Sequence, residues 1–178
     1  AKAAISQRDK LRLELGITPG KKVLLFVGKF MPRKRPDLLV QAINSIDWGR
    51  EKKPALIFVG GGEMERRLRS LAPDAIFLGF KNQSELASFY DIADVLVLPS
   101  ECEPWGLVVN EAMACGTAVI VSDQVGCATD LLNDECGKVF SSGDVRALAD
   151  SIVYCLLHSK EMGKIAGSAI KKWGFSED

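Results

Sequence analysis

Six short runs rich in Val, Ile, Leu and Phe recur at residues 23–27, 55–59, 75–78, 95–98, 118–121 and 138–140, with helical patterns filling the gaps. The runs are near-continuously apolar rather than alternating, so a strand built from each has both faces in a core. A sheet buried on both faces needs helices on each side, and strands joined through helices lie parallel. The pattern predicts an α/β domain with a doubly wound parallel sheet. Helices are expected to begin near Pro36, with proline at the first helical position, and near Glu63, Ser84 and Gly106, with room for another near Gly126.

At 178 residues the chain has the length of one domain with a sizeable core. Residues 6–16 read as a charged helix closing at Gly16, and Thr18-Pro19-Gly20 as a turn before the first strand. At the other end, residues 144–158 and 160–173 read as two helices with no strand left to feed, followed by an aromatic tail, Trp173-Gly174-Phe175. These extensions, at about 1–20 and 159–178, are either ordinary terminal helices or surfaces that pack on a second domain.

Lys+Arg and Asp+Glu both number 23, so no global basic field recruits nucleic acid or an anionic membrane. No apolar run approaches the ~20 residues of a spanning helix, and Ala1-Lys2-Ala3-Ala4 lacks the apolar core of a secretory leader. Cys102, Cys115, Cys127, Cys136 and Cys155 match no CxxC or zinc spacing, and read as reduced thiols of a cytoplasmic protein. His158, the only histidine, is expected on the surface, which leaves no Ser-His-Asp triad and no histidine base. No Asp-x-Asp pair offers a metal clamp.

The chemistry-bearing residues fall after the strands: Gly28-Lys29, Gly60-Gly61-Gly62, Gly79-Phe80, residues 99–103, and Ser122-Asp123. In a parallel sheet these loops emerge at one edge, where open α/β sheets bind ligands. The triple glycine suits close approach of backbone amides to a phosphate, or is simply a tight connection. Lys29 with Arg33-Lys34-Arg35 puts four cations in seven residues over the same edge, suited to a diphosphate or else a solvated basic loop. Glu103 and Glu111 stand eight residues apart across the Pro104-Trp105-Gly106 turn. Glu111 has Leu107, Val108, Ala114 and Cys115 as helical neighbours. A buried charge without a partner is costly, so the carboxylate either finds a hydrogen-bond donor, such as a ligand's hydroxyl pair, or fans out to solvent.

Several of these elements carry a resemblance. Gly28-Lys29-Phe30-Met31-Pro32-Arg33-Lys34, Val59-Gly60-Gly61-Gly62, Pro99-Ser100-Glu101-Cys102-Glu103-Pro104-Trp105-Gly106-Leu107 and Glu111-Ala112-Met113-Ala114-Cys115-Gly116 resemble the motifs of the family-4 retaining glycosyltransferases, across residues 11–173. The resemblance implies a GT-B enzyme, two Rossmann-like domains facing each other across a cleft. This chain, residues 1–178, would be the carboxyl-terminal, donor-binding half, and the amino-terminal acceptor domain is missing from it.

The implied substrate is a nucleoside-diphosphate sugar, with no cofactor and no metal, its hexosyl group passing to an acceptor hydroxyl with retained configuration. Glu103, Lys29 and Lys34 would be the catalytic groups, the lysines on the diphosphate and Glu103 at the sugar with the amides of Trp105, Gly106 and Leu107. Gly28, Gly61 and Gly62 would line the donor site, Phe80 and Lys81 would frame the base, and Glu111 would hold the ribose hydroxyls. Departures from the family pattern are Lys29 where arginine is commonest, Arg35 where glycine usually follows the lysine, and Ala118 where proline is frequent. The family's catalytic histidine belongs to the missing domain, so this chain alone should bind donor and transfer little or nothing. Peripheral membrane contact of the full-length protein stays open. Two other readings are a nucleotide-sugar-binding module without catalysis and a dinucleotide-dependent oxidoreductase domain. Gly28-Lys29-Phe30, standing where Gly-x-Gly-x-x-Gly belongs, argues against the latter.

Overall fold

A computed structural model of the chain describes residues 6–49 and 53–174, so Phe175 of the expected aromatic tail lies outside the described residues. Strands β1 (Val23–Val27), β2 (Ala55–Val59), β3 (Ile76–Phe77), β4 (Val95–Leu98), β5 (Ala118–Ser122) and β6 (Gly137–Phe140) form one parallel sheet in the order β3-β2-β1-β4-β5-β6. The helices are α1 (Gln7–Glu14), α2 (Pro36–Ser45), α3 (Glu65–Leu71), α4 (Gln83–Ile92), α5 (Leu107–Ala114), α6 (Ala128–Leu131) and α7 (Val145–Lys172). This is the expected doubly wound, Rossmann-like sheet. The strand order reverses between β1 and β4, and the crevice outside that reversal is where such sheets take ligands.

Alternation along each strand divides the interior in two. Leu25, Ile57, Leu96 and Val119 face one core with Phe89 and Tyr90 of α4, Val109 and Met113 of α5, and Ile17. Leu24, Phe58, Val97 and Ile120 face the other with Leu38, Leu39 and Ile43 of α2 and Leu68 of α3. Phe30, from the loop after β1, is buried in this second core, 5.7 Å from the Phe58 ring and 6.1 Å from that of Phe26. A buried aromatic anchor inside a loop holds the neighbouring Lys29 and Gly28 in place.

Two expectations need correction. Strand β3 is shorter than 75–78: Ala75 N turns back to Ala72 O at 3.1 Å, the pairing with β2 runs over Ile76 and Phe77, and beyond the strand Leu78 N still donates to Phe58 O at 3.0 Å. The two carboxyl-terminal helices are one helix of 28 residues. Ser159, which read as a break, is buried, and its hydroxyl accepts from Lys22 Nζ at 2.8 Å beneath Asp94. One turn on, a Cβ at Gly163 would meet Gly116 O at 2.0 Å. The small residues let α7 pass close under the sheet's amino edge, so its first half covers one core and its last turns the other. At that edge Asp94 accepts from Val23 N at 2.8 Å, and Arg12 of α1 donates to Ile92 O at 2.9 Å.

The cysteines give a pH prediction. Burial pushes the Cys127 thiol up to about 11 and the Cys155 thiol up to about 12, from an ordinary 9.0. Folded values above unfolded ones mean stability that is complete below pH 9 and lost as pH rises through the folded values. Each thiol costs about 1.4 kcal/mol per pH unit in that window. Urea unfolding from pH 8 to 10.5 is expected to show a steep alkaline loss, smaller in Cys155→Ala once corrected for that variant's stability at pH 8.

Candidate active site

The loops after β1 and β4 flank the reversal of the sheet and are cross-tied. Pro32–Lys34 forms a 3-10 turn, and Arg35 follows it in the left-handed region at φ 50°, the only non-glycine residue with positive φ among the described residues. That conformation costs roughly 1–2 kcal/mol. It is held by ion pairs from Arg35 Nε to Asp37 Oδ1 at 3.2 Å and from Arg35 Nη1 to Glu101 Oε1 at 2.5 Å. Glu101 N also donates to Arg33 O at 2.8 Å. Between these ties, Lys34 Nζ donates to Glu103 Oε2, and both side chains are about 85% buried (16% and 15% exposed). Two of the four predicted cations, Lys34 and Arg35, are thus held by carboxylates of the other loop, while Lys29 and Arg33 are exposed.

The triple glycine has a packing reason. A Cβ at Gly60 would lie 1.9 Å from Gly28 O, and one at Gly62 would lie 2.5 Å from Phe30 O. Phe30 N donates to Gly61 O at 2.9 Å and Met64 N to Phe30 O at 3.0 Å. The backbones after β1 and β2 cross in contact, which brings Gly28 and Lys29 beside Gly61 and Gly62. Helix α3 begins only at Glu65, so these glycines precede it by a turn rather than opening it. The β3 loop joins the group through Gly60 N, which donates to Gly79 O at 2.8 Å. Phe80 is 85% exposed there, and Lys81 Nζ lies 3.5 Å from Glu85 Oε1.

Glu103 is also stitched to the loop after β5. Its N donates to Gln124 O at 3.2 Å, Gly126 N donates to Glu103 O at 2.9 Å, and Cys127 N donates to Trp105 O at 3.0 Å. Trp105 Nε1 donates to Asn110 Oδ1 at 3.0 Å, which pins the indole onto α5. Gly106 turns the chain into α5 at φ 96°. Val109 N already donates to Gly106 O at 2.9 Å, whereas the amides of Leu107 and Val108 at the start of the helix have no acceptor inside it and are available to an anion or a hydroxyl.

Glu111, in the second turn of α5, is half-buried and accepts from Tyr90 Oη at 2.6 Å. Burial, and then the hydrogen bond to Glu111, drive the Tyr90 hydroxyl far above its ordinary value of 10.0, so it remains a donor. Sequence reasoning asked for such a donor without finding Tyr90, which lies on α4, twenty-one residues away. It also missed Glu101 as a partner of Arg35 and Gly126 as the crossing point under Pro104. A hydroxyl within the buried Phe89-Tyr90 pair was the available signal for the first. His158 is exposed as expected, its ring 4.5 Å from that of Tyr154. Among the described residues, no three His, Cys, Asp or Glu side chains are grouped to hold a metal ion, and no helix is long and apolar enough to cross a membrane.

The fold is a Rossmann-like parallel sheet whose structural neighbours are GT-B glycosyltransferases. Sucrose-phosphate synthase of Thermosynechococcus elongatus superposes with a TM-score of 0.79 at 32% identity, over 90% of this chain and 43% of its own. Anabaena HepE, solved with UDP-glucose, shares the fold with a TM-score of 0.81 at 23% identity, over 94% of this chain and 49% of its own. The chain belongs to the family of glycosyl transferases group 1, whose model it matches over residues 7–173. It is 35% identical over 175 residues to a D-inositol 3-phosphate glycosyltransferase of Rhodococcus erythropolis, covering 91% of this chain and 39% of that protein. It is 32% identical over 172 residues to a sulfoquinovosyl transferase of Arabidopsis thaliana, covering 94% of this chain and 32% of that one. This chain therefore spans less than half the length of these relatives.

Proposed function

We propose that this chain is the donor-binding half of a retaining, metal-independent hexosyltransferase of the family-4 type, acting in the cytoplasm on a nucleoside-diphosphate sugar. The acceptor site would belong to an amino-terminal domain, without which transfer is negligible. The observation that carries this reading is the Lys34–Glu103 pair at the reversal of the sheet, set among loop amides and exposed cations. Membership in a glycosyltransferase family favours a transferase over an oxidoreductase, and the fold neighbour HepE is solved in complex with UDP-glucose.

Breaking a glycosyl–phosphate bond leaves negative charge on the diphosphate and positive character on the sugar. Lys29 and Lys34, with the amides around Gly28, Gly61 and Gly62, take the leaving group in this reading. A diphosphate arriving at Lys34 competes with Glu103 for the ammonium. Glu103 is then released to accept hydroxyls of the sugar, beside the amides of Trp105, Gly106 and Leu107. Phe80 and Lys81 frame the base, and Glu111 accepts the ribose diol.

Calorimetry with UDP, GDP, ADP and NAD tests the reading. One nucleoside diphosphate is expected to bind weakly to this chain and NAD not at all; a folded chain that binds none of the diphosphates at millimolar concentration overturns it. Glu111→Gln is expected to weaken the diphosphate that binds by at least about tenfold, since charge-assisted bonds contribute roughly 1.5–3 kcal/mol each.

A further inference from the structure

We infer that Tyr90 is a positioning residue for the donor site: its hydroxyl occupies one oxygen of Glu111 and turns the rest of the carboxylate toward the ribose diol of a nucleoside diphosphate. The inference rests on the reading of Glu111 given above and adds a residue from another helix to it. Tyr90 is 1% exposed and packed in the core under α5, so its ring has no freedom to follow Glu111. Its backbone is fixed as well, because Thr117 Oγ1 at the foot of β5 donates to Tyr90 O at 2.8 Å in a buried bond. A donor fixed at both ends, 2.6 Å from Glu111 Oε2, sets the rotamer of a carboxylate that is itself only half-buried.

An ionised carboxylate accepts at about four lone-pair sites. With one taken by Tyr90, the remainder can still accept both hydroxyls of a vicinal diol, now without the entropy lost in freezing a mobile glutamate. Burial keeps Tyr90 protonated, so the donor persists. A purely structural hydroxyl, satisfied by the nearest acceptor, would affect the stability of the fold and all ligands alike. A positioning hydroxyl affects only ligands that carry the diol.

The test is Tyr90→Phe in the full natural chain, read by calorimetry with UDP, GDP and ADP and their 2′,3′-dideoxy counterparts. The variant is expected to weaken the preferred ribonucleotide roughly tenfold, the scale of one charge-assisted hydrogen bond, and to leave its dideoxy form within about twofold. Replacing Tyr90 with 4-aminophenylalanine, which keeps the ring and an N–H donor, is expected to restore most of the loss and provides a second variant if Tyr90→Phe does not fold. Equal weakening of ribo- and dideoxynucleotides, no weakening of either, or no rescue overturns the inference. Glu111→Gln separates the two levels. If it too fails to distinguish ribose from dideoxyribose, the ribose reading of Glu111 falls and the inference with it. If Glu111→Gln is selective and Tyr90→Phe is not, only the role of Tyr90 falls.

Discussion

Glu103→Ala is expected to lower kcat of the full natural chain by at least about a hundredfold while leaving nucleoside-diphosphate affinity unchanged or improved. The scale is that of removing one preorganised group at a charged transition state. The asymmetry follows from the Lys34–Glu103 contact. Glu103 holds Lys34, so on the proposed reading a diphosphate competes with it for the ammonium, and removing Glu103 leaves that ammonium available. Interactions made only in the transition state disappear from kcat rather than from binding. Steady-state kinetics with the donor, together with calorimetric binding of the diphosphate, measure both quantities. Normal turnover in Glu103→Ala would assign the carboxylate to folding, and a diphosphate affinity weakened tenfold would mean that it binds the nucleotide portion instead.

The second large effect concerns a residue with no side chain. Gly126→Ala places a Cβ 1.9 Å from Pro104 O and 3.3 Å from Trp105 Cα. The obstacles are backbone atoms, so no rotamer relieves them, and the loops after β4 and β5 must part. Parting them breaks the bonds from Gly126 N to Glu103 O and from Cys127 N to Trp105 O. Overpacking of this severity costs about 3 kcal/mol, which is roughly 6–12 °C of Tm for a domain of this size. Gly61→Ala is the control. Its Cβ meets nothing nearer than Glu65 Oε2 at 3.8 Å and needs no positive φ, so its Tm is expected to change little. Equal Tm values for the two variants would remove the crossing as the reason for Gly126.

The strands were legible because near-continuous apolar runs such as Val23-Leu24-Leu25-Phe26-Val27 have no other economical fate than a sheet buried on both faces. The convergence of the loops followed once the sheet was parallel. The strand order, which no single residue encodes, was not legible. It places β1 beside β4 and thereby brings Lys34 to Glu103 across sixty-nine residues of chain. The same limit hid Tyr90 from Glu111, since α4 and α5 are brought together by the packing of the core they share. Ser159 misled in another way. Small polar residues weaken a helix in isolation, yet here Ser159 is buried within α7 against Lys22, and Gly163 one turn on lets the helix approach Gly116.

That continuous α7 makes the domain thermodynamically indivisible. About 42 Å of helix at 1.5 Å per residue begins in the core that holds Ile120 and Phe140 on one side of the sheet and ends in the core that holds Met113 and Leu131 on the other. Neither core can melt without stripping α7 from itself, and a helix stripped over half its length loses the packing that sustains it. The two layers are therefore expected to open as one cooperative unit rather than as separate foldons. Amide protons of residues 155–166 should exchange only through global opening, with the same free energy as the strands on either side.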